Sequence, residues 1–111
     1  MPASSEFADF VTDCLAPLGP VRAKRMFGGH GIFYDDRMFG LIFDDTLYLR
    51  VDDGNRPDFE AADLPAFTYA QRGREVTLPY HEAPAEALDD PDTLLDWARE
   101  ALAAALRSPL S

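Results

Sequence analysis

The sequence predicts an α+β domain with an antiparallel sheet. Three observations point there: a helical apolar stripe at each end of the chain, alternating apolar and polar residues between them, and short Asp-rich breaks that divide the alternating part into strands. The predicted order is helix, three strands, short helix, two strands, helix, with five strands in all. At 111 residues the chain matches the commonest size of one domain, so residues 1–111 are expected to form a single domain.

At the N-terminal end, Phe7, Phe10, Val11, Cys14, Leu15 and Leu18 recur at helical spacing and share one stripe. Ser4 or Ser5 is expected to cap this helix, and Gly19-Pro20 to stop it. Cys14 lies within the stripe, which predicts a core thiol rather than a nucleophile.

From Val21 to Val51 the pattern becomes that of an antiparallel meander with turns at Asp35-Asp36-Arg37 and Asp44-Asp45-Thr46. Its first strand is interrupted by Gly28-Gly29-His30-Gly31, expected to be a glycine-rich bulge. Alternation places Phe39, Leu41 and Phe43 on one face of the second strand. In the third, Leu47, Leu49 and Val51 oppose Tyr48 and Arg50.

A polar stretch through Arg56-Pro57 introduces a short, peripheral helix carrying Phe59, Ala62 and Leu64. Phe67–Tyr69 and Glu75–Tyr80 read as strands about a turn at Gln71-Arg72-Gly73-Arg74, with Pro79 marking a strand edge or exit. Asp89-Asp90-Pro91-Asp92 supplies a cap, an N1 proline and an acidic first turn for a last helix running to about Arg107. Leu94, Leu95, Ala98, Leu102 and Ala105 or Leu106 form its apolar stripe, with Trp97 beside it and expected to pack on the sheet.

Composition narrows the function classes. Twenty acidic against 10 basic residues leave a formal charge of −10, which repels phosphate backbones and anionic membranes, so no direct nucleic-acid or membrane partner is expected. A single cysteine excludes an internal disulfide and a cysteine zinc cluster, and the expected compartment is the cytoplasm. His30 and His81 are too few for a metal site, and no cofactor is expected. The paired aspartates sit in turns and at a cap, where Asx chemistry accounts for them. There is no nucleophile elbow, Walker motif or dinucleotide fingerprint, so the chain is expected not to be an enzyme.

One local cluster is basic. Arg22, Lys24 and Arg25 precede Gly28, Gly29, His30 and Gly31, and exposed glycine amides beside such charges form a candidate anion site. Phosphate loops of the common kinds open into a helix, however, whereas Ile32-Phe33-Tyr34 reads as strand. The glycines are therefore expected to be structural, with Arg25 steadying the bend through a carboxylate or loop carbonyls.

The string Arg25-Met26-Phe27-Gly28-Gly29-His30-Gly31 resembles the signature of the TfoX/Sxy N-terminal domain family. The similarity continues through Phe39-Gly40-Leu41-Ile42, Leu47-Tyr48-Leu49-Arg50-Val51-Asp52, Asn55, Pro65-Ala66-Phe67-Thr68-Tyr69, and Tyr80 with Pro84. The resemblance implies a two-layer fold, similar to secretion chaperones, with the helices on one face of the sheet. It also implies a bacterial regulatory module tied to competence gene expression. Regulators of this type carry a second domain, so this chain is expected to be the stand-alone form. The expected function is a non-enzymatic regulatory or protein-interaction domain, acting on a protein partner or by self-association. The alternative is a small-molecule or anion-binding domain centred on Arg25 and the glycine loop.

Overall fold

A computed structural model describes residues 3–26 and 28–108. The chain is α+β in two layers, with one antiparallel sheet under its helices. In chain order the elements are α1 (Ala3–Leu15), β1 (Val21–Met26), β2 (Gly29–Tyr34), β3 (Arg37–Phe43), β4 (Thr46–Arg50), α2 (Arg56–Ala61), β5 (Ala66–Gln71), β6 (Arg74–Glu82) and α3 (Pro91–Arg107). Short 3₁₀ turns at Ala16–Leu18 and Ala85–Asp89 follow α1 and precede α3. Because α1 begins at Ala3, Ser4 and Ser5 belong to its first turn and do not precede it.

Among the described residues the sheet has six strands, not the expected five, in the order β1-β2-β3-β4-β6-β5. The extra strand comes from the glycine segment. Met26 pairs with Gly29, so the chain reverses there in a tight hairpin where a bulged continuous strand was expected. Gly28 sits in the turn at φ +77°, a conformation that costs glycine nothing. Phe27, also quoted in the family signature, lies outside the described residues.

A true irregularity falls one strand later. Ile32 pairs with Gly40 but Phe33 pairs with Met38, leaving Phe39 as the unpaired residue of a bulge. The extra residue breaks the expected alternation. Phe39 joins Ile42 in the core beneath the helices, while Leu41 faces the opposite side with Met38. In β4 the alternation is as expected: Leu47 and Leu49 enter the helix-side core, with Val51 just beyond, and Tyr48 turns away. Pro79 sits inside β6, where a second register irregularity separates the Thr68–Thr77 and Ala66–His81 pairs. A proline in an inner strand is tolerable at such a break, since no ladder amide is required of it.

Among the described residues the helices cover one face only: α1 lies over β1, β2 and β3, and α3 lies over β3 and β4 and against α1. Ala98, Ala101, Ala104 and Ala105 are buried along α3, and their small side chains let it approach closely. Leu106, at 54% exposure, is outside the stripe, as is Phe10 of α1 at 43%. Ala8, Val11 and Leu15 supply the buried face of α1. Cys14 is partly buried there, and burial raises its thiol above the ordinary range, with the Asp13 charge adding to the effect.

The start of α3 follows its sequence signals: Asp90 accepts from the Asp92 amide at 3.2 Å and from the Thr93 hydroxyl at 2.8 Å, with Pro91 at N1. Its end is held from outside. Arg37 of β3 donates from Nη1 to the carbonyls of Ala105 (2.7 Å) and Ser108 (2.6 Å), satisfying acceptors that a helix terminus leaves free. Arg107 forms a fork on Asp52, Nε to Oδ2 at 2.7 Å and Nη2 to Oδ1 at 2.8 Å. This Arg107 pairing holds the Asp52 carboxyl at about 2, below its usual 3.8.

The short helix α2 is not peripheral, because Phe59 is fully buried and the Trp97 ring meets it edge-on at 4.9 Å. Trp97 is itself half-buried and packs through Phe59 toward the core. Trp97→Ala is therefore expected to cost about 3 kcal/mol, the low end for a core aromatic truncation, measured as a shift of the urea midpoint at constant slope.

The Asp52 pair has a pH signature. A carboxylate whose folded value lies below its unfolded one contributes stability above the unfolded value near 3.8, and that contribution is lost as pH falls toward about 2. Arg107→Ala should raise the Asp52 titration midpoint toward 3.8, read by carboxyl NMR, and move acid unfolding to higher pH. An unmoved titration would contradict the pairing.

Candidate functional site

The basic cluster does not converge. Strand alternation sets Arg22 and Lys24 on the face away from the helices, whereas Arg25 opposes His30 and points with it to the helix side. The Arg22 guanidinium lies 5.7 Å from the centre of the Phe33 ring. Arg25 is exposed, and among the described residues it forms no hydrogen bond or ion pair, so the expected carboxylate or carbonyl partner is not found there.

The glycines serve close packing. A Cβ on Gly29 would stand 2.1 Å from the Ile42 carbonyl oxygen, and one on Gly31 would meet the sulfurs of Met26 and Met38 at 2.7 and 2.8 Å. Both residues lie in β2, which has β1 on one side and β3 on the other, so their amides belong to ladders and do not form an exposed cradle. His30 is buried, and its Nδ1 lacks a hydrogen-bond partner among the described residues. His81 is distant in the sheet, with Nδ1 2.7 Å from the Leu64 carbonyl oxygen. Among the described residues no three His, Cys, Asp or Glu side chains gather as metal ligands.

What the fold does assemble is a second apolar face. Leu41, Phe67 and Tyr80 are buried, with Met38, Tyr48 and Leu78 packed around them, and all six are strand residues. Phe67 is the hub: Tyr48 meets it edge-on at 4.9 Å, Phe43 at 5.6 Å, and Tyr69 lies 6.0 Å away. Phe43 and Tyr69 are each 39% exposed, large apolar rings left facing solvent on the helix-free side. The Tyr80 hydroxyl donates to the Met38 carbonyl at 3.1 Å, and the Arg50 guanidinium lies 5.8 Å over the Tyr80 ring, so the floor of this face is fixed.

No local pattern in the sequence gathers these aromatic residues into a surface. The missing signal was pairing. Which strands lie side by side is set by the sheet order, in which β6 separates β5 from β4, and strand patterns carry no information on that order. On the helix side, Asp58, Asp96, Trp97, Arg99 and Glu100 line an open cleft of about 580 Å³ between α2 and α3.

The placement of Arg25 and the glycines yields a paired test. Arg25→Ala should move the urea midpoint by less than about 0.5 kcal/mol equivalent, as for an unpartnered surface residue. Gly29→Ala should lower it severely, because the strand pair must open to admit the methyl group. Equal effects would contradict the placement.

Comparison with known proteins agrees with the fold and the motif. The family model described as the TfoX N-terminal domain matches residues 13–105. The chain is 31% identical over 85 residues to "DNA transformation protein TfoX1" of Aliivibrio fischeri, covering 77% of this chain and 41% of that protein. It is 29% identical over 93 residues to "Protein Sxy" of Escherichia coli, covering 84% and 44% respectively. An uncharacterised 12.7 kDa protein of Spirochaeta aurantia is 31% identical over 64 residues, 58% of this chain and 56% of that one. The chain thus spans less than half the length of the first two relatives. Matched from the last turn of α1 into the last turn of α3, a span that includes the glycine hairpin and β4, the chain belongs to the TfoX N-terminal domain family.

Proposed function

We propose that this chain is a regulatory domain that works by protein contact, without chemistry of its own, and that its contact surface is the helix-free face of the sheet. The observation that carries this reading is the strand-only aromatic cluster, whose rings Phe43 and Tyr69 remain exposed around the buried Phe67. Rigid aromatic side chains lose little conformational freedom on docking and dominate binding energy at protein interfaces. The family supports the regulatory part, since one relative is named a DNA transformation protein. A net charge of −10 favours a protein partner over nucleic acid, because binding to phosphate backbones draws its strength from neutralising them with basic side chains.

Site-specific photo-crosslinking in cells tests this directly. A benzophenone side chain at Phe43 or Tyr69 is expected to capture a discrete protein species, and the same probe at Arg99 on α3 is not. Capture from Arg99 alone would move the contact to the α2–α3 cleft, and capture from none of the three would contradict the proposal.

A further inference from the structure

The two edges of the sheet are built differently. β1 carries Arg22, Lys24 and Arg25, charges of the kind that keep an open edge from pairing with another chain. The opposite edge, β5, reads Ala66-Phe67-Thr68-Tyr69-Ala70-Gln71, six residues without a charge, a proline or a glycine. Thr68, Tyr69, Ala70 and Gln71 are all exposed.

Hydrogen-bond parity fixes which backbone groups of β5 are free. The hairpin to β6 turns through Arg72 (φ +54°) and Gly73 (φ +78°), both left-handed as a two-residue type I′ turn requires, so Gln71 and Arg74 form the first hydrogen-bonded pair. Counting back, Tyr69 bonds inward to Val76, and Ala70 and Thr68 occupy the alternate sites whose N–H and C=O groups point away from β6. Unpaired donors and acceptors thus line an uncharged strand.

We infer that this edge is a self-association site, where β5 of a second copy pairs antiparallel with β5 and continues the sheet across a twofold axis. The inference deepens the interaction reading above by naming the occupant. Parity restricts the register, because outward-facing residues must meet outward-facing residues. Centring the axis on Thr68 places Thr68 opposite its own counterpart and Ala66 opposite Ala70 of the second copy. Phe67 then faces Tyr69 of the second copy in a close, non-hydrogen-bonded pair, an aromatic match made twice by symmetry.

Charge favours the same partner. Arg72 and Arg74 form no ion pair among the described residues, and with Gln71, Glu75 and Val76 they line a cleft of about 400 Å³ at the hairpin tip. In this register the tip reaches the start of β5 in the second copy, where the exposed Asp63 precedes the strand. The basic tip and the acidic entry to β5 complement each other at both ends of the pair, although the chain as a whole is strongly acidic.

Sedimentation velocity of the purified chain over a concentration series tests the inference. The interface is small, so a reversible dimer with a dissociation constant on the order of 10–100 μM is expected. Thr68→Pro removes an outward N–H without touching the β5–β6 ladder, and Ala70→Lys places a guarding charge on the edge. Each should weaken association about tenfold or more while circular dichroism stays native, whereas Arg99→Ala should not change it. If Thr68→Pro disturbs the fold, Ala70→Lys decides alone. Thr68→Cys in a Cys14→Ser background should form a disulfide-linked dimer on mild oxidation, since counterparts on the axis lie about 5.5 Å apart between Cα atoms. A wild-type chain that stays monomeric, or edge variants that associate normally, would overturn the inference. The crosslinks from Phe43 would then still decide the interaction reading by themselves.

Discussion

A buried amide holds the two layers in register. Asn55, with no exposed surface, accepts the Asp52 N–H at 2.8 Å and donates to the carbonyls of Arg50 at 2.9 Å and Glu100 at 3.4 Å. One side chain thereby joins the end of β4, the entry to α2 and the middle of α3. Each bond contributes only about 1 kcal/mol net, but a buried donor or acceptor left without its partner costs about 1–3 kcal/mol, so any displacement of α3 from the sheet is opposed. The exposed Arg107–Asp52 fork and the Arg37 clamp extend the same junction to the end of α3. Asn55 also stands at the N-terminus of α2, where its carbonyl accepts the Asp58 N–H at 3.1 Å, and α2 carries the buried Phe59 that Trp97 meets edge-on.

With α3 fixed on one face, the other face is free for a different use. The bulge at Phe39 separates the two roles within one strand, since Phe39 and Ile42 serve the helix-side core while Met38 and Leu41 support the aromatic face. Without that extra residue, Phe39 and Leu41 would share a side, and one of the two apolar layers would lose a large side chain. The aromatic face is consequently a built surface: Phe67 is buried beneath it, Tyr80 is anchored to a β3 carbonyl, and Phe43 and Tyr69 are displayed. The uncharged edge of β5 borders this face, so pairing there would extend the aromatic layer without rearranging the core.

Elements with local chemical signals were legible in the sequence. Asp90 with Pro91 marked the start of α3, the paired aspartates marked the β2–β3 and β3–β4 turns, and the Leu47, Leu49 and Val51 alternation held in the structure. The glycine hairpin was misjudged because a bulge and a turn ask for the same residue, and only the pairing of Met26 with Gly29 separates them. Phe59 looked peripheral because its helix is too short to show a period. Asn55 was legible only within a polar, cap-bearing stretch and as part of the family resemblance, since nothing local distinguishes a buried amide from a loop asparagine. The aromatic face and the bare edge both follow from β6 lying between β4 and β5, a long-range fact with no local signature.

In the proposed division of labour, one side of the sheet carries stability and the other, with its β5 edge, carries recognition. Amide hydrogen exchange, followed residue by residue as the protein concentration is raised, tests it most directly. The outward amides of Thr68 and Ala70 should exchange freely in dilute protein and slow as the chain associates, while the amides of α3 stay protected throughout. Fast exchange at Thr68 and Ala70 at every concentration, with new protection falling instead on α2 and α3, would contradict it.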